Sequence, residues 1–522
     1  MKSIISGVNN HISKKPIMWS ISGADCSGGA GIAADIKTGH NLGVEVCHFI
    51  TANTVQNSSV FYSVNSTAID ILAQQAQALR FDKPPTVIKI GLIADVHQIQ
   101  WLILLLTQLK SELPTLFVVF DPVSKASVGG NMSLFSSEAL SLLLPLIDVI
   151  TPNINEAKAL SYLASKSSAI KTEEMAENIL LLGCKAVIVK GGHASFENIS
   201  EDKQCIDICL QSLDANSTQL FTLHSPKINT SYNHGGGCSF ASALASFLAH
   251  NYLLRDAFTL TKAFINQGLL TTDGIDHQIK SSEYYGAFQQ GLWPTKASDF
   301  PQVISPIYQQ LESPQGFKSL GLAADEKLGL YPVVDSLSWL ELLLPQHLKI
   351  IQLRIKSDDI NYLEPLIAKA IAKARHFNCR LFINDHWQLA IKYGAYGVHI
   401  GQEDLHSADL NAIAKAGLRL GISTHGCYEF LLAKQLRPSY LAIGAIFPTK
   451  TKNMTGQIQG LQNLTQILAL ADTIPVVAIG GINQQRLAKV WSTGVNAIAV
   501  VTAITQAQQP LSATKSMQAM LC

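Results

Sequence analysis

Residues 380–402 read RLFINDHWQLAIKYGAYGVHIGQ. Two short apolar runs, Arg380–Asp385 and Gly397–Gln402, flank a stretch of helical character. Each run closes on residues that can handle a phosphate or a metal. Working outward, runs of the same kind stand at Leu328–Asp335, Lys349–Lys356, Leu418–Thr424, Tyr440–Phe447, Ile474–Gly481 and Ala497–Ile504, making eight in all. Helical patterns fill the gaps, as at Asn361–Arg375 and Leu461–Ala471. Eight βα units in roughly 200 residues is the minimum for a (β/α)₈ or TIM barrel. Such barrels carry their chemistry on loops at the C-terminal ends of the strands. Those ends hold Gln352, Arg354 and Lys356, then Asn384 and Asp385, His399 and Asp404, and Ser423. Thr449, Thr451, Lys452, Gly480, Gly481, Val501 and Thr502 follow. Polar residues gathered at one pole are hard to explain as core packing.

At 522 residues the chain exceeds one core, so two or more domains are expected. The composition is 47% hydrophobic and 15% charged with a net charge of +1, as in a compact soluble enzyme. It lacks the basic excess of a nucleic-acid binder or of a protein drawn to anionic membranes. The N-terminal residues lack the apolar core of a signal peptide, and the stretches Trp101–Leu106 and Ala139–Ile150 are too short to span a bilayer. A cytoplasmic protein is expected. The nine cysteines are odd in number and scattered, against a disulfide framework. The one close pair, Cys205 and Cys209, reads as part of an alternating strand over Lys203–Leu210 or as half of a metal site.

Residues 1–290 read as a separate α/β domain, 291–327 as a linker with a short helix, and 328–522 as the barrel. Strand candidates in the first domain are Ile17–Ala24, Cys47–Val55, Val87–Ile93, Phe117–Val123, Val149–Pro152 and Ala186–Gly192. Helical stretches separate most of them, which points to a largely parallel sheet covered on both faces. After the first strand comes a glycine run, Ser22 to Asp35, read as an anion-binding loop or as a tight βα turn. Asn233-His-Gly-Gly-Gly-Cys238 opens a helix expected over Ser239–Ala249. Amides at that helix start suit the charge of a migrating phosphoryl group. The helix field should lower the Cys238 thiol, which suits a proton acceptor. The plainer reading makes Cys238 a small buried hydrophobe.

These motifs make the first domain resemble the ribokinase superfamily, within it the hydroxymethylpyrimidine and phosphomethylpyrimidine kinases. The resemblance implies a ribokinase-like α/β sandwich. It implies Cys238 as the catalytic residue beside Gly236 and Gly237. It implies pyrimidine contacts at Gly23, Asp35 and Gln56, and Mg²⁺ and ATP at Asp121, Asn153, Glu156 and Lys190. Cys26 stands where the family has Pro, the loop Ser124–Gly130 departs from the family pattern, and the family's signature near Gly274–Lys280 is missing. A non-catalytic or regulatory pyrimidine-binding domain and a pyridoxal-type kinase stay open as alternatives.

In the barrel, Gln352, Arg354 and Lys356 alternate along one run, so period two puts them on one face. Two cations and an amide there suit a pyrophosphate. Asp385 and Asp404 on neighbouring loops suit Mg²⁺; separately, each could cap the helix that follows. The stretches LGLYPVVD, QLRIK, FINDHWQLAI, YGVHIGQEDL, GISTH, FPTKTK, VAIGGI and IAVVTAI resemble thiamine-phosphate synthase. That resemblance implies Gln352, Arg354, Lys356, Asn384 and Lys452 at the pyrophosphate of the pyrimidine substrate, with Ser423 at its ring. It implies Thr449, Thr451, Gly481, Val501 and Thr502 at the thiazole phosphate, and Asp385 and Asp404 at magnesium. The expected protein is a bifunctional transferase of thiamine biosynthesis. It would act on small-molecule substrates with ATP and Mg²⁺, with no nucleic-acid or membrane partner and with homo-oligomerisation open.

Overall fold

The computed structural model describes residues 15–521 except 58–59, 124–136, 166–170, 193–203, 215, 229, 273–285, 307–315, 324 and 450–457. The chain divides into two compact units, Met1–Leu220 with Ser225–Pro294 and Phe221–His224 with Thr295–Cys522.

The first unit is built on β1 (Ile17–Asp25), β2 (Glu45–Gln56), β3 (Phe61–Ser66), β4 (Val87–Ile90), β5 (Phe117–Phe120), β6 (Val149–Ile150), β7 (Ala186–Val189), β8 (Gln204–Ser212) and β9 (Thr218–Pro226). Their order is β9-β8-β7-β6-β5-β4-β1-β2-β3. The central strands β2, β1, β4, β5, β6 and β7 run parallel, while β3 and β8 are antiparallel to their neighbours. Runs such as Phe117–Phe120 and Ala186–Val189 are apolar at every position, which suits strands covered on both faces. Helices Gly31–Asn41 and Gly236–Ala249 pack on each other and on β1 and β4. Trp19 and Phe49 anchor the core with ring centroids 5.1 Å apart. One residue breaks the apolar pattern: Lys89, in the middle of β4, is wholly buried. Cys205 and Cys209 lie in β8, which settles them as strand residues.

In the second unit, β11 (Gly329–Val334), β12 (Ile350–Leu353), β13 (Arg380–Asn384), β14 (Gly397–Ile400), β15 (Arg419–Thr424), β16 (Tyr440–Ile443), β17 (Val476–Ile479) and β18 (Ala497–Val500) close a barrel. All neighbours are parallel, and β18 returns to β11. The short β10 (Gln302–Ile304) pairs antiparallel with Thr222–His224 of the same unit. Among its described residues, the stretch expected as a linker with a short helix contributes a strand and a 3₁₀ turn at Ala297–Asp299. Its residues 307–315 lie outside the described residues.

Most barrel strands stop short of the runs read from sequence, because their polar ends leave the ladder to form the mouth. The run Lys349–Lys356 is a correction of this kind: β12 ends at Leu353, so Arg354 and Lys356 sit in the following loop and not on one strand face. The barrel interior is filled by Tyr331, Phe382 and Tyr440, with Phe382 and Tyr440 centroids 5.1 Å apart, edge to face. Two glycines make room for these rings. A Cβ at Gly421 would fall 2.1 Å from the Tyr440 ring, and one at Gly397 2.4 Å from Phe382. Among the described residues, no helix is long and apolar enough to cross a membrane.

Candidate active sites

At the C-terminal pole of the barrel, the strand ends enclose a cavity of about 240 Å³. That is several water volumes, too large for a packing defect. Gln352, Arg354, Asn384, Asp385, Asp404, Ser423, Thr449, Gly481, Val501 and Thr502 all line it. Sequence reasoning thus gathered ten residues that the fold brings to one space. Lys356 is exposed in the loop after β12 and does not line the cavity. Thr451 and Lys452 lie outside the described residues.

Asp385 directly follows β13 in a left-handed conformation, φ +62°, which a non-glycine residue adopts only under constraint. Its backbone N–H donates to the His399 carbonyl, 2.9 Å, and the next two amides fold back onto Asn384 and Asp385. This tight turn presents the carboxylate at the cavity. Burial raises the Asp385 carboxyl, and the charge of Asp404 raises it further; Arg354 pulls it down. Two carboxylates close enough to repel, with phosphate-binding groups alongside, form a donor set that fits Mg²⁺. Among the described residues no group of three or more His, Cys, Asp or Glu is arranged for a metal, so phosphate oxygens and water would complete such a shell. Neither aspartate caps the helix after it. His386 precedes Trp387–Lys392, and Asp409 caps Leu410–Lys415.

Sequence reading passed over Glu403 and His425, which also line the cavity. Glu429 accepts both the backbone N–H of His425, 2.8 Å, and its Nδ1, 2.9 Å, which fixes the ring. The signal was present as His-x₃-Glu at the start of the helix Cys427–Lys434.

In the first unit, the polar residues gather at the C-terminal ends of the parallel strands, where open α/β sheets bind ligands. Asp121 follows β5 and Lys190 follows β7, and Lys190 Nζ donates to Asp121 Oδ1 at 2.8 Å. Thr151 Oγ1 stands 3.3 Å from the same oxygen. Burial would lower the Lys190 ammonium, but Asp121, Glu156 and Cys238 hold it above its ordinary value. Asn153 and Glu156 bond each other's backbone N–H groups, 3.0 and 2.8 Å, at the start of the helix Ile154–Ser165. They thus act as a capping box and still lie near Lys190.

Gly235 adopts φ +82°, and a Cβ there would fall 1.9 Å from the Gly29 carbonyl oxygen. Glycine is required for the two glycine loops to touch. Beyond it Gly236, Gly237 and Cys238 form the first turn of the helix Gly236–Ala249. A Cβ on Gly237 would lie 3.6 Å from Lys190 Nζ, so this turn adjoins the Asp121–Lys190 pair. Cys238 is partly exposed as a residue, yet its sulfur is densely surrounded, and burial pushes the thiol up to about 11. Lys89 draws it down, while Asp35 and Asp121 push it up. The lowered thiol expected from the helix field is corrected here: the thiol is raised, and burial is the largest cause.

Three amides of the first glycine loop, those of Ser27, Gly28 and Ala30, are bonded within the loop. Asp25 takes the Ser27 N–H at 2.9 Å and the Ala30 N–H at 3.0 Å, and His234 Nε2 lies 2.8 Å from the same carboxylate. Burial opposes the charged form of Asp25, but these bonds prevail and hold it well below the usual carboxylate range. Asp35 is wholly buried and accepts from Ser20 Oγ, Ser242 Oγ and Lys89 Nζ at 2.5, 2.5 and 2.9 Å. Gln56 ends β2, and its carbonyl accepts from the Cys26 thiol at 3.0 Å. Gly23 faces Leu92, whose Cδ2 would lie 2.6 Å from an added Cβ. Lys89 is the neighbour that sequence reading missed. Its signal was a lysine inside the apolar run Val87–Ile93.

Residues 330–504 match the family model described as thiamine monophosphate synthase. A thiamine-phosphate synthase of Yersinia pestis (strain Pestoides F) is 54% identical over 192 residues, which cover 37% of this chain and 89% of that protein. The chain belongs to the thiamine-phosphate synthase family. Residues 25–282 match a second model, phosphomethylpyrimidine kinase. Among solved structures, the phosphomethylpyrimidine kinase of Clostridium difficile 630 is 29% identical with a TM-score of 0.37, covering 48% of this chain and 99% of that one. A Staphylococcus aureus pyridoxal kinase in complex with ADP is 26% identical with a TM-score of 0.41, covering 49% and 88%. The chain is a fusion of kinase and synthase domains, a bifunctional transferase of thiamine biosynthesis acting on small molecules.

Proposed function

We propose that the N-terminal unit phosphorylates 4-amino-5-hydroxymethyl-2-methylpyrimidine with ATP and Mg²⁺, and then phosphorylates the monophosphate. Phosphoryl transfer needs positioning and charge neutralisation more than covalent help. Lys190 offers a partly exposed ammonium to the phosphates, with Asp121, Asn153 and Glu156 beside it for Mg²⁺. The amides of Gly236 and Gly237 meet the charge on the transferred group. Cys238 accepts the hydroxyl proton as its thiolate; because burial keeps the resting thiol protonated, it must first lose its own proton to solvent, which makes the step pH-dependent. Gly23, Asp35 and Gln56 hold the pyrimidine, with Lys89 compensating the Asp35 charge.

The barrel then joins the pyrimidine pyrophosphate to 4-methyl-5-(2-phosphoethyl)thiazole. Gln352, Arg354 and Asn384 hold the pyrophosphate, with Lys356 and Lys452 assisting. Asp385 and Asp404 hold Mg²⁺, which supplies charge neutralisation for the leaving pyrophosphate. The methylene C–O bond breaks, the electron-rich aminopyrimidine carries the cation, and the thiazole nitrogen forms the new C–N bond. Ser423 orients the pyrimidine. Thr449, Thr451, Gly481, Val501 and Thr502 hold the thiazole phosphate. We place the enzyme in the cytoplasm, where ATP is at hand.

The observation that carries this reading is the shared cavity: Arg354, Asn384 and the aspartate pair open onto the same space as Thr449, Gly481 and Thr502. The test is thiamine phosphate formation by the whole chain from pyrimidine pyrophosphate and thiazole phosphate. No product at saturating Mg²⁺ would overturn the synthase assignment. For the kinase, the free pyrimidine alcohol must drive ADP release; binding without ADP would favour the non-catalytic pyrimidine-binding domain.

A further inference from the structure

A line of hydrogen bonds runs through the barrel interior below the cavity, and the reading above gives it no task. Gln352 Nε2 donates to Tyr331 OH at 3.5 Å. The hydroxyls of Tyr331 and Tyr440 are 2.8 Å apart. Tyr440 OH lies 2.7 Å from His399 Nδ1, and His399 Nε2 lies 2.8 Å from Ser423 Oγ. The His399 ring stacks on Tyr440, with centroids 5.6 Å apart and planes at 18°. The path depends on Gly421, since any Cβ there would occupy the place of the Tyr440 phenol. The two ends of the line, Gln352 and Ser423, both face the cavity.

The direction of this line decides what Ser423 offers a substrate. Burial pushes the Tyr331 and Tyr440 phenols up, so each keeps its one proton near neutrality. In one direction Tyr331 donates to Tyr440, Tyr440 to His399 Nδ1, and the His399 Nε2–H to Ser423. The serine proton then points to the cavity. In the other direction Ser423 donates to His399, and the Tyr331 proton ends against Gln352 Nε2, which the amide's orientation turns toward that hydroxyl, donor to donor. A buried donor without an acceptor is costly, so the first direction prevails.

We propose that His399 is a positioning residue of the synthase site, which fixes the Ser423 hydroxyl as a donor to an acceptor nitrogen of the aminopyrimidine ring. The proposal rests on the reading that Ser423 meets the pyrimidine. It makes the Ser423–His399–Tyr440–Tyr331 line a specificity device. A 4-aminopyrimidine presents N3 as an acceptor, whereas its 4-oxo analogue carries a proton there. The ring nitrogens are meta to the reacting methylene, so a donor at N3 orients the ring without sitting on a carbon that shares the cation.

Two measurements test this on the whole chain. The first is histidine ¹⁵N NMR, with His399 assigned by the loss of its signals in His399→Gln. The neutral ring should carry its proton on Nε2; a proton on Nδ1 would overturn the proposal. The second compares kcat/KM for the aminopyrimidine pyrophosphate and its 4-oxo analogue. The parent should prefer the amino substrate by about 10²-fold, because a site built to donate leaves its donor facing another donor in the analogue. Tyr440→Phe, which removes the proton given to Nδ1, and Ser423→Ala should each narrow that preference by about tenfold or more. An unchanged preference in both variants sinks the proposal while leaving the synthase reading intact. If the parent makes thiamine phosphate from neither substrate, it is the synthase reading that fails.

Discussion

Replacing Arg354 by alanine should disable the synthase and spare the kinase. Arg354 stands just beyond β12 with its side chain at the cavity. Its own backbone N–H donates to the Val334 carbonyl at 2.7 Å, a bond the substitution keeps. The residue is only half-buried, so the fold should lose little. The catalytic loss is larger. Removing one preorganised stabiliser of developing charge costs about 10²–10³ in turnover, or about 2.7–4 kcal/mol. A second effect has the same origin. Arg354 is what pulls the Asp385 carboxyl down against burial and Asp404, so the variant lets that carboxyl rise further. Arg354→Lys should recover part of the rate, since it keeps the charge and loses the two-pronged geometry. The assay supplies pyrimidine pyrophosphate directly and follows thiamine phosphate, with ADP release from the free pyrimidine alcohol as the control. Synthase turnover within about threefold of the parent, far inside the expected loss, would refute the placing of this side chain at the pyrophosphate.

Other expectations follow from the same geometry. Asp385→Asn and Asp404→Asn should each raise the Mg²⁺ concentration needed for half-maximal synthase rate; an unchanged titration in both would remove the pair from the metal. With its thiol raised to about 11, Cys238 has roughly 10⁻⁴ of its population as thiolate at pH 7, so its alkylation should speed up about tenfold per pH unit between 7 and 9. Rapid modification at pH 7 would mean that the thiol is not desolvated. Cys238→Ala should depress ADP release strongly and leave synthase activity intact when pyrimidine pyrophosphate is supplied. Lys89→Met should destabilise the first unit by about 3–5 kcal/mol, because it strands the wholly buried Asp35, whereas Lys89→Met with Asp35→Leu should recover much of the loss in a urea titration.

The barrel was legible because its strands are apolar runs that each end in polar residues, so fold and site were written in one pattern. Ten of the predicted synthase residues line one cavity for that reason. Reading failed where chemistry depends on what surrounds a residue. The sequence puts Lys356 in phase with Gln352 and Arg354, but β12 stops at Leu353 and the alternation loses its meaning. Cys238 sits at a helix start, as expected, yet its thiol is raised by burial and acted on by the charges of Lys89, Asp35 and Asp121, which come from three other segments. The first glycine loop looked like an anion site, and two of its amides are met by the carboxylate of the chain's own Asp25. The Tyr331–Tyr440–His399 line joins three separate strands and has no local signature, although the glycine at 421 that admits it was visible in GISTH.

The central claim is that one chain carries the pyrimidine from alcohol to thiamine phosphate. The purified chain, given only the hydroxymethylpyrimidine, thiazole phosphate, ATP and Mg²⁺, should form thiamine phosphate with two ADP and one pyrophosphate released per product. Formation of thiamine phosphate from supplied pyrimidine pyrophosphate, but none from the alcohol with ATP, would contradict that claim.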